Sequence, residues 1–524
     1  MATRMRIEPI DISIEELDQL VEEAAAALSE EANRKLRALV NTIKTVTELL
    51  AVGNLTIEKL RRLLLGHRTT EKTRKVLGDD QKTEEPKQRN RPRKGHGRHG
   101  AADYQSAPHV RIEHSSLKPK DRCPECLKGK VYPVKEERNL VRIVGRPPLE
   151  ATVYQLETLR CNLCDAVFTP PAPKEAGPDK YDTSAVSMIA LLKYGAGFPF
   201  YRQQRLESYL GIPLPASTAW ELVAAAAQIL MPVWEEMIQQ GAQGEIVYND
   251  DTSMRILCFV RAASDTRRGL FTSGIVSACG QHHIALFFTG RKHAGENLAG
   301  LLAKRNQELG PPIQMCDALS RNAPGPFNTI LGNCLAHARR HFVDVVHAFP
   351  DHCRYVLETF REVFHHDDLA RHLQLDPGQR LTYHQQHSQP LMDKLNSWCK
   401  EQFDQRLVEP NSGLGKAIQY LFNHWEPLTL FLRQPNAPIT SNIVERALKK
   451  SVLHRKNSLF YRTQNGARVG DLFMSLIYTA ELCGANAFDY LTQLQRHPEE
   501  VARAPARWLP WNYRNTLLES SKAA

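Results

Sequence analysis

Three features of the sequence predict a multidomain α+β protein. Helical periodicity dominates both ends of the 524-residue chain. Two CxxC pairs, Cys123-Pro124-Glu125-Cys126 and Cys161-Asn162-Leu163-Cys164, lie 35 positions apart from Cys126 to Cys161. Between 244 and 317, short runs rich in β-branched and aromatic residues read as strands, and two of them end in aspartates. A chain of this length exceeds one core and implies roughly three or four domains. The divisions fall at 1–78 (helical), 79–112 (basic linker), 113–172 (the cysteine pairs), 180–242 (helical), 244–348 and 436–486 (a strand-rich core in two parts), 349–435 (a helical insertion) and 487–524 (a C-terminal helical tail).

Composition narrows the function classes. Hydrophobic residues make up 42% of the chain, enough for globular folding, and no apolar run is expected to span a bilayer. The N-terminus carries an acidic helix pattern where an export leader would be basic and then apolar, which argues against export. A net charge of +10 with a pI near 9.0 suits a polyanionic partner. Eleven cysteines without an export signal read as thiols or metal ligands, not as a disulfide framework.

In chain order, Ser13 and Glu16 have capping-box spacing, and Ile14, Leu17, Val21, Ala24 and Leu28 keep one apolar face. Leu36, Ile43, Leu50, Ile57 and Leu64 then recur every seven residues. That repeat fits either a coiled coil or a hairpin of two amphipathic helices bent at Gly53-Asn54. From Lys87 to Arg98 the chain has no acidic residue and sets Arg89, Arg91, Arg93, Lys94 and Arg98 among Pro and Gly: a solvated linker that can also contact phosphates. Cys123, Cys126, Cys161 and Cys164 have the spacing of one closed tetrahedral zinc site. Short strands are expected between them at Val131–Val134, Leu140–Val144 and Thr152–Thr158, the arrangement of a zinc ribbon. Helices are expected at Ser184–Lys193, at Tyr201–Leu210 and from a Ser217 cap to Ile238, either as a helix-turn-helix reader of DNA or as plain helical packing.

The run Ile246-Val247-Tyr248-Asn249-Asp250-Asp251-Thr252 is a buried strand that ends in two carboxylates. Met254–Arg261, Gly269–Ser277 and His283–Thr289 follow as antiparallel neighbours. A helix at Ala294–Asn306 leads to a second buried strand, Ile313–Asp317. Antiparallel strands, a helix and then a parallel strand is the order of an RNase H-like core. In that fold the first and fourth strands are adjacent, so Asp250 and Asp317, 67 positions apart, would meet. Buried carboxylates need compensating cations, and hard divalent ions take oxygen ligands. The third acidic candidate is Glu445, on a helix whose Asn442, Glu445, Arg446 and Lys449 share one polar face. The 128 positions between Asp317 and Glu445 exceed what the core needs, so 349–435 reads as a helical insertion.

These residues together resemble a bacterial DDE transposase of the insertion sequence sixty-six family. The resemblance runs from Leu64-Leu65-Gly66-His67-Arg68 nearly to the C-terminus and includes Gly95-His96-Gly97-Arg98, both CxxC pairs and Phe198-Pro199-Phe200-Tyr201-Arg202. Its most specific parts are the stretch from Cys334 to Phe342, Ser441-Asn442-Ile443-Val444-Glu445-Arg446, and Arg455-Lys456-Asn457-Ser458-Leu459-Phe460. Tyr490-Leu491 also fits. The family usually reads Asp-Glu-Thr where this chain has Asp250-Asp251-Thr252, so the catalytic assignment goes to Asp250, and Asp251 points to the other face of the strand. Leu335 and Ser458 stand where the family prefers tryptophan.

The resemblance implies that Asp250, Asp317 and Glu445 hold two Mg²⁺ ions, with Mn²⁺ as a substitute, about 3.5–4 Å apart. They would cut the element's ends and join the freed 3′-OH to target DNA, while Arg446, Lys449, Arg455 and Lys456 steady phosphates. His337 and Arg340 are auxiliary candidates; Cys334 and His337 read either as packing at a helix start or as orienting groups. One structural Zn²⁺, a homo-oligomer on DNA, accessory proteins of the same element and a cytoplasmic, nucleoid-associated location follow from the same resemblance. A metal-dependent nuclease without strand transfer would need the same triad. A non-enzymatic DNA-binding regulator would need only the zinc ribbon and the linker.

Overall fold

The computed structural model describes residues 32, 36–37, 73–77, 116–132, 143, 147–162, 164–260, 267 and 269–523. The capping box at Ser13, nearly all of the seven-residue repeat, and Arg89, Arg91, Arg93, Lys94 and Arg98 of the linker lie outside the described residues. The architecture is mixed α/β.

In chain order the cysteine-pair segment holds β1 (Leu159–Arg160) and β2 (Val167–Phe168). Then come α1 (Thr183–Ala190), α2 (Phe200–Tyr209) and α3 (Ala216–Gly241). The strand-rich part runs β3 (Ile246–Ser253), β4 (Ile256–Cys258), β5 (Phe271–Cys279), β6 (His282–Gly290), α4 (Ala294–Leu302), β7 (Ile313–Cys316) and β8 (Ile330–Asn333). Helices follow: α5 (Leu335–Val345), α6 (Pro350–His372), α7 (Pro377–His387), α8 (Gln389–Asp404) and α9 (Gly413–Asn423). The chain closes with α10 (Asn442–Ser458), β9 (Tyr461–Thr463), α11 (Gln464–Leu482), α12 (Ala487–Arg496), α13 (Pro498–Arg503) and α14 (Tyr513–Ala523). It divides into two compact units: Lys82–Leu331 with Ser441–Ala524, and Met1–Gln81 with Gly332–Thr440.

The first of these units is built on a five-stranded sheet in the order β6-β5-β3-β7-β8. β3 pairs antiparallel with β5 along its whole length, from Ile246↔Ala278 to Ser253↔Phe271. On its other side it runs parallel to β7, Ile246↔Ile313 through Tyr248↔Met315. The stretches at 246–252 and 313–317 are therefore neighbours, as expected. The expected strand at Met254–Arg261 is not part of this sheet. Only Ile256–Cys258 is extended, and it pairs in parallel with β9. Met254 and Ile256 bury themselves with Tyr461 and Ala467, against Phe259 and Leu270, and that local apolar cluster draws the segment away from the sheet.

Edge strand β6 is covered by a helix whose side chains satisfy its backbone. Thr479 Oγ1 accepts from Ala285 N at 3.0 Å, Ser475 Oγ from Phe287 N at 3.0 Å and Asp471 Oδ2 from Thr289 N at 2.6 Å. Four residues of helix rise about 6 Å and two residues of strand about 6.6 Å, so an i, i+4 ladder on α11 matches alternate amides of β6. This removes an edge that would otherwise invite pairing. Burial pushes the Asp471 carboxyl up to about 7, against the hydrogen bonds from Thr289 that lower it.

α3 is long and apolar enough to cross a membrane by length and composition, contrary to the expectation from the sequence. Here it buries Val223, Leu230, Val233 and Met237 and packs on β5, β6 and α11. The expected Ser217 cap is also corrected: Pro215 holds the N-cap position, and Gln204 Oε1 accepts from Ala216 N at 3.0 Å. Between α1 and α2 the chain makes a five-residue π-helical turn, Leu191–Gly195. The C-terminal helices pack into the same unit, with Gln495 Nε2 donating to Ser187 Oγ at 2.8 Å and Tyr490 Oη to Trp508 O at 3.0 Å.

The other unit is helical. Its internal tie is Asp367 on α6, 5% exposed. Arg380 on α7 reaches Asp367 Oδ1 at 2.6 Å and donates to Ala437 O at 2.8 Å; Arg371 and the buried His384 add contacts at 3.2 and 3.3 Å. Burial alone would raise the Asp367 carboxyl. The hydrogen bond from His384 and the charges of Arg380 and Arg371 outweigh it and hold the group at about 2.

A folded-state value below the unfolded one stabilises the protein above the unfolded pKa, and that contribution is lost as pH falls through about 2. It amounts to about 2 kcal/mol. Asp367→Asn should cost roughly 3 kcal/mol near neutral pH, because it leaves the half-buried Arg380 without its counter-charge. In denaturant unfolding the gap between variant and parent should narrow toward pH 2; a gap independent of pH would show that the ion pair is not what holds α6 to α7.

Candidate functional site

Asp250 lies opposite Gly274 in the β3–β5 register. Directly paired residues of an antiparallel ladder project to the same face, so the Asp250 side chain shares a face with the missing Cβ of Gly274. A Cβ there would stand 3.0 Å from Leu448 and 3.4 Å from Val444, both on α10. Asp250, half-buried, thus faces the side of the sheet that α10 covers, and Glu445 is the next residue after Val444. Glu445 lies in the first turn of α10 and is half-buried. Asn442, Arg446 and Lys449, expected on one face with it, are exposed.

Asp251 points the other way. Its carboxylate is 2.9 Å from His293 Nδ1, accepts from Ala294 N at 3.3 Å and lies 3.4 Å from Arg321 Nη2. With a side chain 1% exposed, at the start of α4, it is a fully partnered acid.

Asp317 follows β7 directly, and continuing the register Tyr248↔Met315 by two residues brings it level with Asp250. Three amides that the sequence reading did not single out hold this corner. Asn322 Nδ2 donates to Asp317 Oδ1. The Asn322 carbonyl accepts from Asn249 Nδ2 at 2.9 Å and from Gln314 Nε2 at 2.7 Å. Gln314 also donates to Asn249 Oδ1 at 2.8 Å and accepts from Thr329 Oγ1 at 2.8 Å. For Asn249 and Gln314 the signal in the sequence was an amide inside an otherwise apolar strand, where it needs partners once buried; Asn322, in the turn after β7, carried no such signal.

Arg455, one of the expected phosphate contacts, has its Nη1 engaged with Thr252 Oγ1 at 3.0 Å and Ser253 Oγ at 2.7 Å, which ties the last turns of α10 to the end of β3. Lys456 beside it is exposed.

Each cysteine pair forms its own backbone knuckle. Leu127 N donates to Cys123 O at 2.9 Å and Asp165 N to Cys161 O at 3.2 Å. The residue four after the first cysteine takes positive φ in both knuckles, Leu127 at 54° and Asp165 at 59°. Cys126 Sγ accepts from Gly129 N at 3.4 Å. Backbone amides at Gly129 and Lys128, then the Cys123 side chain, lower the Cys126 thiol below its ordinary value. Pairing occurs at Leu159–Arg160 with Val167–Phe168, not at Thr152–Thr158, where the chain is exposed and unpaired with any described strand. The hairpin forms around Cys161 and Cys164 because the tight turn brings its own flanks together.

In the helical unit, Cys334 is buried at the N-cap of α5, and Leu335 N donates to Ile439 O at 3.0 Å. His337 is half-buried in the first turn, and Arg340 is exposed one turn on.

Two proteins of Sinorhizobium fredii (strain NBRC 101917 / NGR234) are similar to the chain. Uncharacterized protein y4hP is 26% identical over 395 residues, covering 68% of either chain. Uncharacterized protein y4jD is 24% identical over 426 residues, covering 76% of this chain and 79% of its own. The family model described as "Transposase IS66 family" matches residues 180–469, more than half of the sequence and a span that includes Asp250, Asp317 and Glu445. The chain belongs to the IS66 transposase family.

Proposed function

We propose that this protein cuts the ends of a bacterial insertion sequence and joins the resulting 3′-OH ends to target DNA, with Asp250, Asp317 and Glu445 as its catalytic acids. The observation that carries the reading is the parallel pairing of β3 with β7 up to Tyr248↔Met315: extended by two residues it would set Asp317 level with Asp250, and α10 packs on Asp250's face one residue from Glu445. The strand order β6-β5-β3-β7-β8 also supports an RNase H-like core.

The donor set fits hard divalent cations: three carboxylates offer oxygen only, which suits Mg²⁺ or Mn²⁺ better than zinc. When bound, such ions would supply a Lewis acid for the scissile phosphate and lower the pKa of water. The protein's own part is to fix the acids. Asn322 orients Asp317, and the β3–β5 register aims Asp250. Arg446, Lys449 and Lys456 line the exposed side of α10 and would receive phosphates as charge-assisted hydrogen-bond donors. Asp251 has no ligand role, since it holds the start of α4.

Asp250→Asn, Asp317→Asn and Glu445→Gln should each abolish DNA cutting and the joining of pre-cut ends while leaving DNA binding near the parent level. Each should also lose the rise in melting temperature that Mg²⁺ or Mn²⁺ gives the parent. Asp251→Asn should lower the melting temperature and retain measurable cutting. Full activity in any of the three would overturn the triad and favour a DNA-binding regulator. Cutting without joining of pre-cut ends would identify a nuclease.

We also assign one structural Zn²⁺ to Cys123, Cys126, Cys161 and Cys164. Support comes from the matched knuckles and from amides directed at sulfur, which favour thiolates. Metal analysis of the purified chain should give one zinc per molecule, and Cys161→Ser/Cys164→Ser should give none. Full zinc content in that double variant would sink the assignment.

A further inference from the structure

The exposed face of α2 is a second cationic surface. Tyr201 is 57% and Tyr209 71% exposed, and Arg202 and Arg205 are exposed between them. Arg202 lies 5.6 Å from the Tyr201 ring centroid and donates through Nε to Tyr201 Oη at 3.0 Å. Arg205 lies 5.7 Å from the Tyr209 ring and donates through Nε to Tyr209 Oη at 2.7 Å. Among the described residues neither guanidinium enters an ion pair with an acid. Each tyrosine therefore engages Nε of its arginine, and the two Nη groups, the fork that matches a phosphate, are not used by these contacts.

The face is fixed to the helix that carries Glu445. Asn457 Nδ2 on α10 donates to Gly197 O at 3.0 Å. Gly197 has φ +69°, and a Cβ there would lie 2.7 Å from Leu453 Cγ, so only glycine permits this approach. Lys193, buried in the π-helical turn, donates from Nζ to Ser458 Oγ at 2.8 Å. From the inside, Gln203 Nε2 donates to Phe198 O at 2.8 Å, which holds α2 against its own leading loop. On α10 itself Arg446, Lys449 and Lys456 recur at helical spacing along one exposed stripe, from the turn of Glu445 to the turn that meets Gly197. The distance along the axis from Glu445 to Asn457 is about 18 Å.

We infer that α2 is a backbone clamp for duplex DNA, in which Arg202 and Arg205 grip phosphates and Tyr201 and Tyr209 prop them. The bound duplex follows the α10 stripe, and the clamp meets it about five base pairs from the phosphate being cut, at 3.4 Å per step. Duplex is favoured over single strands because the tyrosine hydroxyls are engaged by arginine, which leaves charge as the main recognition element. The distance, but not the clamp itself, rests on the active-site reading proposed above.

The test is fluorescence anisotropy of the full chain with a labelled mixed-sequence duplex across a series of KCl concentrations. Arg202→Ala/Arg205→Ala should reduce the slope of log K against log salt by about 1.8, two contacts at about 0.9 each. Tyr201→Phe/Tyr209→Phe should weaken binding several-fold and leave the slope at the parent value, since the charges remain. All four side chains are exposed, so melting temperatures should stay at the parent level. A parent-like slope in the double arginine variant would overturn the clamp. Hydroxyl-radical protection on a pre-cut duplex, with Asp250→Asn protein, should fade about five base pairs from the end in the arginine variant; loss elsewhere would overturn the α10 path. If Asp250→Asn protein still cuts DNA, the active-site reading fails, and the salt slope still decides the clamp.

Discussion

The register between β3 and its two neighbours is the constraint on which the rest of the site depends. Side chains alternate along a strand, so a slip of one residue would exchange Asp250 for Asp251. The pairing from Ile246↔Ala278 to Ser253↔Phe271 spans eight residues and buries Ile246, Val247 and Tyr248, which makes such a slip costly. Gly274 adds a local condition: without a side chain opposite Asp250, Val444 and Leu448 can lie close on the sheet. α10 is thereby seated by apolar packing on the face of β3 that carries Asp250.

Much of this was legible in the sequence. Strands such as β5, β6 and β7 are short apolar runs bounded by turn residues, and the hydrophobic effect leaves such runs few places to go. The order of those strands, with a helix before Ile313, was enough to set β7 beside β3. The insertion was legible for the same reason, since α6 to α9 keep helical periodicity in a span that no strand-rich core needs.

Other features were not legible because they depend on partners distant in sequence. Ile256–Cys258 reads as another strand of the main sheet, yet its apolar side finds Tyr461 and Ala467 some two hundred residues on, and pairing follows burial. Ser217 looks like a helix cap, but Gln204 supplies the acceptor one residue earlier. The ladder of Asp471, Ser475 and Thr479 is invisible as a motif: small polar residues four apart on an apolar helix acquire meaning only beside the edge amides of β6.

Asp250 and Asp251 show how neighbouring residues of one type come to have different chemistry. Both are aspartates at the end of the same strand, and composition cannot distinguish them. Asp251 meets an imidazole, a guanidinium and the amide end of a helix, and three donors on one carboxylate leave it committed to holding α4. The demand at that position is for an acid that reaches the helix start, and a longer acid can meet it as well, which fits the glutamate usual in the family. Asp250 projects to the opposite face, where Val444 and Leu448 of α10 pack on the sheet. That asymmetry, set by the pleat alone, commits Asp251 to a structural role on one face of β3 and leaves Asp250 on the face that α10 covers.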